Sequence, residues 1–259
     1  MTVVAPKQKL AWITGASQGI GSAVALRLAA EGWTVAVSAR QADKLSELSR
    51  ASEALTGSIV PFELDVTDAE ACTQAFEAIE EQQGAIDLVI LNAGTHEPID
   101  GKRFSVAPVR KLVEINLMGT VNCLAPVIER FVERQAGRIG VVASLAGYRG
   151  LPTSSGYGAS KAGLINMCEA LRPELMEQNV VLSCITPGFV RTPLTDRNPF
   201  PMPFLIDVDT AATRIVKGLE SNRFEITFPR RFACIMKFMR ILPYWAYFAI
   251  TRRTVPHDQ

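Results

Sequence analysis

A tyrosine and a lysine four residues apart are the side chains of this sequence best suited to proton chemistry. Tyr157 and Lys161 stand in the segment SSGYGASKAGL, and Ser144 precedes them in VVASLAGY. Residues i and i+4 share one face of a helix, so a phenol and an ammonium at this spacing share one local field. A free tyrosine loses its proton only near pH ~10, and a fixed positive charge nearby lowers that pKa. A serine hydroxyl beside them could hold a carbonyl or hydroxyl oxygen while the tyrosine donates or removes a proton.

A glycine-rich turn near the N-terminus supplies the cofactor site that such chemistry needs, since the tyrosine–lysine pattern alone also fits a plain surface helix. The segment TGASQGIG carries Gly15, Gly19 and Gly21 and lies between a predicted strand and a predicted helix. Glycines there allow a tight bend and a close approach to a pyrophosphate, and the helix N-terminus offers unpaired N–H groups to phosphate oxygens. No Lys-Ser/Thr pair follows the last glycine, which excludes a P-loop. The turn therefore predicts a dinucleotide site rather than a structural turn.

The elements that must position these residues alternate between short apolar strands and longer amphipathic helices. Strands are predicted in LAWIT, WTVAVSAR, SIVPFELDV, IDLVILNAG, GRIGVVAS, VVLSCITPG and FEITFP. Helices are predicted over about 19–32, 43–55, 68–83, 109–135 and 208–221, with another around Tyr157. Near-continuous apolar strands separated by helices indicate a parallel sheet covered on both faces. We expect one doubly wound α/β domain, 1–259, of Rossmann type with seven parallel strands.

The composition excludes several other classes of protein. Charged residues make up 20% and apolar residues 48% of the 259 residues, and the net charge of +1 gives no basic excess for nucleic acid. The N-terminal segment lacks the apolar run of a signal peptide, so we expect a cytoplasmic protein. The five cysteines are widely spaced, without C-x-x-C pairs, and are predicted to be core residues that form neither disulfides nor a metal site. They are Cys72, Cys123, Cys168, Cys184 and Cys234.

At this point the chain resembles the compact, single-domain branch of the short-chain dehydrogenase/reductase family. The matching motifs are TGASQGIG, LDVTD, LNAG, EINLMGT, VVASLAG, YGASK and ITPGFVRT, in the family's order between Leu10 and Thr192. The resemblance implies a Rossmann fold and an NAD(P)(H)-dependent oxidoreductase that interconverts a carbonyl group and an alcohol. It also implies a homodimer or homotetramer built through the two long helices.

The resemblance further implies roles for four catalytic residues. Ser144 would hydrogen-bond the substrate oxygen, and Tyr157 would act as general acid in reduction and general base in oxidation. Lys161 would lower the pKa of the tyrosine and hold the nicotinamide ribose. Asn116 would help to position a water that relays protons to Lys161, although a helix-interior asparagine that bonds locally is the simpler interpretation of that residue by itself.

By the same resemblance, the cofactor-binding residues follow the carboxyl ends of successive strands. The turn after the first strand would bind the pyrophosphate and adjacent ribose, a later pair would meet the adenine, and the remainder would surround the ribose and nicotinamide, together with Tyr157 and Lys161. These residues are Gly15, Ser17, Gly19, Ile20, Arg40, Asp65, Val66, Asn92, Ala93, Gly94, Pro187, Gly188, Val190 and Thr192. Asp68 is better placed than Asp65 to cap the following helix.

The end of the second predicted strand favours NADP(H) over NAD(H). Enzymes that prefer NAD place a carboxylate there for the ribose hydroxyls, whereas this chain has Ala39 followed by Arg40. A guanidinium suits phosphate oxygens. A solvated Arg40 is the alternative, and the second family determinant, a basic residue within the glycine turn, is replaced by Gln18. NAD(H) therefore stays open as a cofactor.

The substrate is expected to be small and apolar. By resemblance, the segment 193–207 forms a substrate lid, in which Phe200, Met202, Phe204 and Leu205 would line an apolar wall or simply pack under a loop. Tyr148, Leu151 and residues 95–99 should border the same cleft, with His96 at its rim rather than in catalysis.

A C-terminal extension, about 230–259, distinguishes the chain from the shortest members of the family. Its apolar residues Phe232, Ile235, Met236, Met239 and Leu242 recur at helical spacing, with basic and aromatic neighbours. We predict that this stripe packs over the cleft or against a partner subunit. Peripheral contact with a membrane is the less favoured alternative.

These expectations combine into a hydride transfer between NADP(H) and an apolar ketone, aldehyde or secondary alcohol. An epimerase or another enzyme on the same scaffold is one alternative. A non-catalytic dinucleotide-sensing protein is another, although such proteins can lose the serine, tyrosine or lysine, and all three are present here.

Overall fold

A seven-stranded parallel sheet forms the centre of the molecule. The computed structural model describes residues 9–197 and 202–255 of the chain. The strands lie in the order β3-β2-β1-β4-β5-β6-β7, which confirms the predicted sheet. They are β1 (Leu10–Thr14), β2 (Thr34–Ala39), β3 (Ser58–Glu63), β4 (Leu88–Leu91), β5 (Gly137–Val142), β6 (Val180–Pro187) and β7 (Glu225–Phe228). The strand order reverses between β1 and β4, because β1 to β3 follow one another toward one edge of the sheet and β4 to β7 toward the other. The carboxyl ends of β1 and β4 therefore border a crevice.

Helices cover both faces of this sheet. They are α1 (Gly19–Ala30), α2 (Ala42–Ala51), α3 (Ala69–Gln83), α4 (Val106–Val113), α5 (Gly119–Glu133), α6 (Ser155–Glu177), α7 (Val208–Glu220), α8 (Arg230–Ile241) and α9 (Tyr244–Thr251). Ala11 and Ile13 of β1 join the core under α1, α2 and α7, whereas Leu10 and Trp12 join the core under α3, α5 and α6. This alternation follows from the two-residue period of a strand and explains why β1 is apolar at every position.

The helix ends agree with the predictions to within a few residues. Asp68 caps α3, because its side chain accepts a hydrogen bond of 3.0 Å from the Ala71 amide. The long helix predicted over 109–135 is made of α4 and α5 joined by a π-helical turn, Glu114–Met118. A π turn inserts one extra residue and re-aims the side chains next to it. Asn116 lies in this turn.

The helical stretch Val106–Glu133 is long and apolar enough to meet the length and composition criteria of a membrane span. It is a core helix here: 44% of its most apolar window is buried, and α5 packs against α3 while α4 packs against α6. Length and composition alone are weak evidence for a span, because core helices pass the same test.

The cysteine prediction holds for four of the five residues. Cys72, Cys123, Cys168 and Cys184 are buried and free of disulfide bonds. Cys234 is also a free thiol, but it is exposed on α8, so the prediction of a core position was wrong for this residue. Its helix has one buried and one exposed face, and Cys234 lies on the exposed one.

Candidate active site

Two cavities meet at the carboxyl ends of the central strands. A groove of about 450 Å³ runs from the glycine turn past the ends of β2, β3 and β4, and a cavity of about 590 Å³ lies beyond the end of β5. Leu194 borders both, so the two spaces are neighbours. A third cavity of about 610 Å³ lies at the amino ends of β1, β4, β5 and β6, away from the residues predicted to do chemistry.

The glycine turn is shaped for close contact with a phosphate group. Gly15 has φ +65°, and a Cβ on it would stand 2.6 Å from the Cα of Ala93. Asn92 holds the turn, since its Nδ2 donates to the carbonyls of Thr14 (3.1 Å) and Gly15 (3.0 Å). No side chain caps the N-terminus of α1, and no acidic residue stands in its first turn. The helix N-terminus is therefore open to an anion, which fits a dinucleotide.

Most of the predicted cofactor residues line this one groove, although they come from five different loops. Those that line it are Gly15, Ser17, Gly19, Ile20, Arg40, Asp65, Val66, Asn92, Ala93, Gly94 and Thr192. Gly188 lines the neighbouring cavity instead. Pro187 ends β6 and lines neither space, and Val190 is buried in a β-bridge to Ile206.

Basic side chains surround the end of the groove that follows β2. The Arg40 side chain is 69% exposed, and its Nη1 lies 3.9 Å from Oδ2 of Asp65. Lys44, in the first turn of α2, donates a hydrogen bond of 3.2 Å to Oε1 of Gln18 in the glycine turn. Lys44 was not predicted from the sequence, because only the fold brings the start of α2 beside the turn after β1.

Ser144 and Tyr157 both line the cavity of about 590 Å³ beyond the end of β5. Leu145, Leu151 and Phe189 give this cavity much of its apolar wall. Burial raises the pKa of Tyr157, and the hydrogen bond with Ser144 opposes this rise. His96 lies at the same wall, with its ring 4.7 Å from the tyrosine ring in an edge-to-face contact.

Lys161 and Asn116 lie beneath these residues rather than in the cavity. Lys161 is 4% exposed, and its Nζ donates a hydrogen bond of 2.8 Å to the Val142 carbonyl. Nζ lies 5.9 Å from the centre of the Tyr157 ring. Burial lowers the pKa of Lys161 to about 8. A Cβ on Gly94 would stand 3.5 Å from this amine, so the amine lies just below the loop that lines the nucleotide groove.

Asn116 ties the π turn to two other elements and is fully buried. Its Oδ1 accepts from the Thr95 amide (2.7 Å), and its Nδ2 donates to the Thr95 carbonyl (3.0 Å) and to Oγ of Ser160 (3.0 Å). The side chain therefore bonds far along the sequence rather than locally. Because it holds the loop at Thr95 to the helix that carries Lys161, Asn116 fixes the floor beneath both cavities.

Two expectations about the cleft need correction. Tyr148 does not border the cavity: it is buried, and its hydroxyl bonds to Thr186 (3.1 Å) and to Glu225 between β6 and β7. Within residues 95–99, Thr95 lines the groove and His96 the cavity, whereas Ile99 is buried in the core. Leu151 borders the cavity as predicted.

The segment predicted as a lid contributes to the cavity through Leu194, Thr195 and Pro203. Phe200 lies outside the described residues. Phe204 is exposed, and its ring stacks 6.2 Å from that of Phe232. Met202 and Leu205 do not line the cavity. The apolar wall therefore comes less from this segment than the sequence suggests.

The C-terminal extension supplies the missing part of that wall. Phe232 of α8 lines the cavity and stacks on Phe189 at 5.4 Å, and Arg253, Thr254 and Val255 line it after α9. The predicted packing over the cleft thus holds for one face of α8. No sequence signal singles out residues 253–255, because a turn after α9 brings them back to the cavity.

Arg149 fastens this extension to the loop between Ser144 and Tyr157. Its Nη1 donates to the carbonyls of Met239 (2.8 Å), Arg240 (2.7 Å) and Leu242 (2.8 Å) at the end of α8. Its guanidinium also lies over the rings of Tyr247 (4.2 Å) and Tyr244 (5.0 Å) of α9. One side chain therefore satisfies the helix end and positions the next helix.

Within residues 9–197 and 202–255, no three His, Cys, Asp or Glu side chains cluster in a way that could hold a metal ion. Ser144 and Tyr157 contribute hydroxyl groups to the site, and Lys161 contributes an amine.

Comparison with known proteins agrees with this arrangement. The short chain dehydrogenase family model matches residues 9–199. The chain is 37% identical over 245 residues to an uncharacterised oxidoreductase of Myxococcus xanthus, covering 95% of this chain and 97% of the relative. It is 33% identical over 191 residues to the 3-oxoacyl-(acyl-carrier-protein) reductase FabG of Thermotoga maritima, covering 74% and 78% of the two chains.

A solved structure, the alcohol dehydrogenase of the archaeon Thermococcus sibiricus complexed with 5-hydroxy-NADP, matches with a TM-score of 0.78 and 25% identity. The match covers 86% of this chain and 96% of that one. The motifs, the strand order and the family match agree, and the chain belongs to the short-chain dehydrogenase/reductase family of oxidoreductases.

Proposed function

We propose that the protein transfers a hydride between NADP(H) and the carbonyl or alcohol carbon of a small, apolar ketone, aldehyde or secondary alcohol. The observation that carries this proposal is the shared cavity of Ser144 and Tyr157, which adjoins the nucleotide groove at Leu194. Two hydroxyl groups at an apolar wall suit a substrate with one polar oxygen on an apolar body. A volume of about 590 Å³ is that of a small-molecule site.

The choice of NADP(H) rests on charge at the end of β2. Arg40 lines the groove at the end of β2, Lys44 bonds to Gln18 of the glycine turn, and Ala39 occupies the position at which a carboxylate would repel a ribose phosphate. The NADP derivative in the Thermococcus relative is consistent with this choice. Asp65 lies 3.9 Å from Arg40, and a phosphate bound to that guanidinium would compete with this carboxylate and repel it.

The chain's own residues would then handle the substrate oxygen and its proton. A bound reduced nicotinamide supplies the hydride that goes to the carbonyl carbon. Ser144 donates a hydrogen bond to the carbonyl oxygen, and Tyr157 gives its proton to the same oxygen as negative charge develops there. The products are an alcohol and the oxidised cofactor, and the oxidation runs through the same groups in reverse.

Lys161 and Asn116 would support that proton transfer from below. The buried amine of Lys161, once protonated, stabilises the tyrosinate left after the transfer, and this offsets the rise in pKa that burial gives to Tyr157. Asn116 keeps the amine beside the loop at Gly94 through its bonds to Thr95 and Ser160. The role of Asn116 in placing a proton-relay water remains a prediction.

The name of one relative supports a ketone as the substrate. A 3-oxoacyl reductase, by its name, reduces a ketone carried on an acyl chain, and an apolar cavity suits such a chain.

The two alternatives, an epimerase and a dinucleotide sensor, lack an observation that favours them. The sensor would not need both hydroxyl groups directed into one cavity.

The test is Tyr157→Phe, which removes the acidic hydroxyl and keeps the ring. Turnover of a panel of ketones and aldehydes, followed by NADPH oxidation, should fall by about 100-fold or more, whereas NADPH affinity should stay within about twofold. Tyr148→Phe is the matched control, because it removes a buried hydroxyl that lies outside the cavity. Near-wild-type turnover by Tyr157→Phe would contradict the mechanism. Tight NADPH binding by the wild type with no turnover of any carbonyl would favour the sensor.

A further inference from the structure

The two C-terminal helices carry an apolar face that the rest of the protein leaves uncovered. On α8, Ala233, Met236 and Met239 are buried at three-residue spacing, and a second apolar stripe follows the opposite side. The large apolar residues exposed on α8 and α9, here called the C-terminal apolar surface, are Ile235, Phe238, Ile241, Tyr244, Trp245, Phe248 and Ile250. Ile241 is 77% and Trp245 78% exposed. The rings of Tyr244 and Phe248 stack on this surface at 5.7 Å. Exposed apolar residues concentrated in this way mark an interaction site.

The charge around this surface has one sign. Between Arg230 and Thr254 the sequence has six basic residues and no carboxylate, although the whole chain is nearly balanced, with 27 basic and 26 acidic residues. Lys237 is paired with Glu225 of β7. The other five are arginines, and none of them forms an ion pair with another described residue. They are Arg230, Arg231, Arg240, Arg252 and Arg253.

We propose that the C-terminal apolar surface binds an anionic lipid bilayer, with α8 and α9 lying in the headgroup region. The aromatic residues Tyr244 and Trp245 are of the kind enriched at the boundary between headgroups and acyl chains, and the arginines match anionic headgroups. A second copy of the chain fits less well. It would bring a second set of unpaired arginines against the first, with no carboxylate between them.

The lengths of the helices place them on a bilayer rather than through it. The 12 residues of α8 span roughly 18 Å, and the 8 residues of α9 roughly 12 Å, whereas the hydrocarbon core is about 30 Å thick. Pro243 separates the two helices. Each helix is therefore short enough to lie parallel to the bilayer surface, with its exposed apolar residues toward the acyl chains.

The same helices border the proposed substrate cavity. Phe232 points from the inner face of α8 into the cavity, and Val255 lines it just after α9. A bilayer bound to the outer face would therefore lie beside the cavity wall, from where an apolar substrate dissolved in lipid could enter. This consequence rests on the proposed function, whereas the binding itself does not.

The experiment measures co-flotation of the full-length protein with two kinds of vesicle. One contains phosphatidylcholine with phosphatidylglycerol, and the other contains phosphatidylcholine alone. Binding should be strong only to the anionic vesicles and should weaken at high salt, because salt screens the arginines. The double variant Ile241→Ser, Trp245→Ser should bind at least about tenfold more weakly. Arg231→Glu and Arg252→Glu should each reduce binding by about fivefold or more.

Matched controls change similar side chains elsewhere on the surface. Met176→Ser removes an exposed apolar side chain at the end of α6, and Arg50→Glu reverses a charge on α2. Both should bind as the wild type does. Circular dichroism and NADPH binding, measured without any substrate, check that each variant is folded, so a failure of the catalytic proposal would not be mistaken for a failure of this one.

The exposed thiol of Cys234 offers a direct readout, since the other four cysteines are buried. An environment-sensitive fluorophore on Cys234 should shift to shorter wavelength with anionic vesicles and stay unchanged with phosphatidylcholine alone. No binding to the anionic vesicles would overturn the proposal. It would also fall if the apolar double variant bound like the wild type, or if that variant only lowered the oligomeric state measured by light scattering.

Discussion

Replacing Lys161 by methionine should change how the stability of the protein depends on pH. Burial lowers the pKa of this amine from 10.5 to about 8, so in the folded state the ammonium is disfavoured relative to the unfolded chain. Below pH 8 both states are charged and the fold bears the full penalty, about 3 kcal/mol. As the pH rises from 8 to 10.5, the folded amine is already neutral and the penalty disappears. Wild-type stability should therefore rise with pH over this window by an amount that Lys161→Met lacks.

Urea unfolding of both proteins at pH 7 and pH 9.5 measures this difference. The free energy of unfolding of the wild type should gain about 2 kcal/mol on Lys161→Met between the two pH values. The lost hydrogen bond to the Val142 carbonyl, 2.8 Å in the structure, affects both pH values alike and cancels in the comparison. Lys217→Met, at an exposed position of α7, is the matched control for removing a lysine. Parallel pH dependence of the wild type and Lys161→Met, within about 0.5 kcal/mol, would refute the burial of a titrating amine at this position.

Three further changes, with one control variant, test the nucleotide groove and α3. Arg40→Ala should weaken NADPH binding by about tenfold while leaving NADH nearly unchanged, and equal affinities for both cofactors before and after the change would remove Arg40 as the determinant. Gly15→Ala should destabilise the protein by about 1–3 kcal/mol and abolish NADPH binding, since its Cβ would strike the neighbouring backbone at a positive φ. Gly84→Ala shares the positive φ but has open space around it, so it should leave cofactor binding intact. Asp68→Ala removes the cap of α3 and should lower the free energy of unfolding by about 1 kcal/mol in urea titrations, without affecting turnover.

The sheet and most of its helices were predictable because their signals are local. Each strand is a short apolar run, and the cap at Asp68 stands directly before its helix. The glycine turn is also local, and its place between β1 and α1 identified the nucleotide groove. The joining of Ser144 and Tyr157 at one cavity followed from the family resemblance, since the two residues come from different elements.

The contacts that were not predicted join residues far apart in the sequence or involve backbone atoms. The carbonyl of Val142 that receives the Lys161 amine has no side-chain signal. Lys44 meets the glycine turn only because β1 and β2 are neighbours in the sheet. Tyr148 was misplaced because its bond to Glu225 joins residues from distant parts of the chain. The sequence did not show which apolar residues of α8 are buried and which are exposed, since both sets recur with helical spacing.

The position of Arg149 couples two parts of the protein mechanically. It stands in the loop between the two hydroxyl-bearing residues of the site, and its three hydrogen bonds grip the end of α8. These bonds tie the loop to the C-terminal helices, so a molecule that shifted the loop from inside the cavity would also shift the helices. Because linkage is reciprocal, a ligand that shifted those helices from their outer face would change substrate affinity by the same factor by which substrate changed the affinity for that ligand. Arg149 would then couple substrate binding in the cavity to the binding of another molecule on the outer face of α8 and α9.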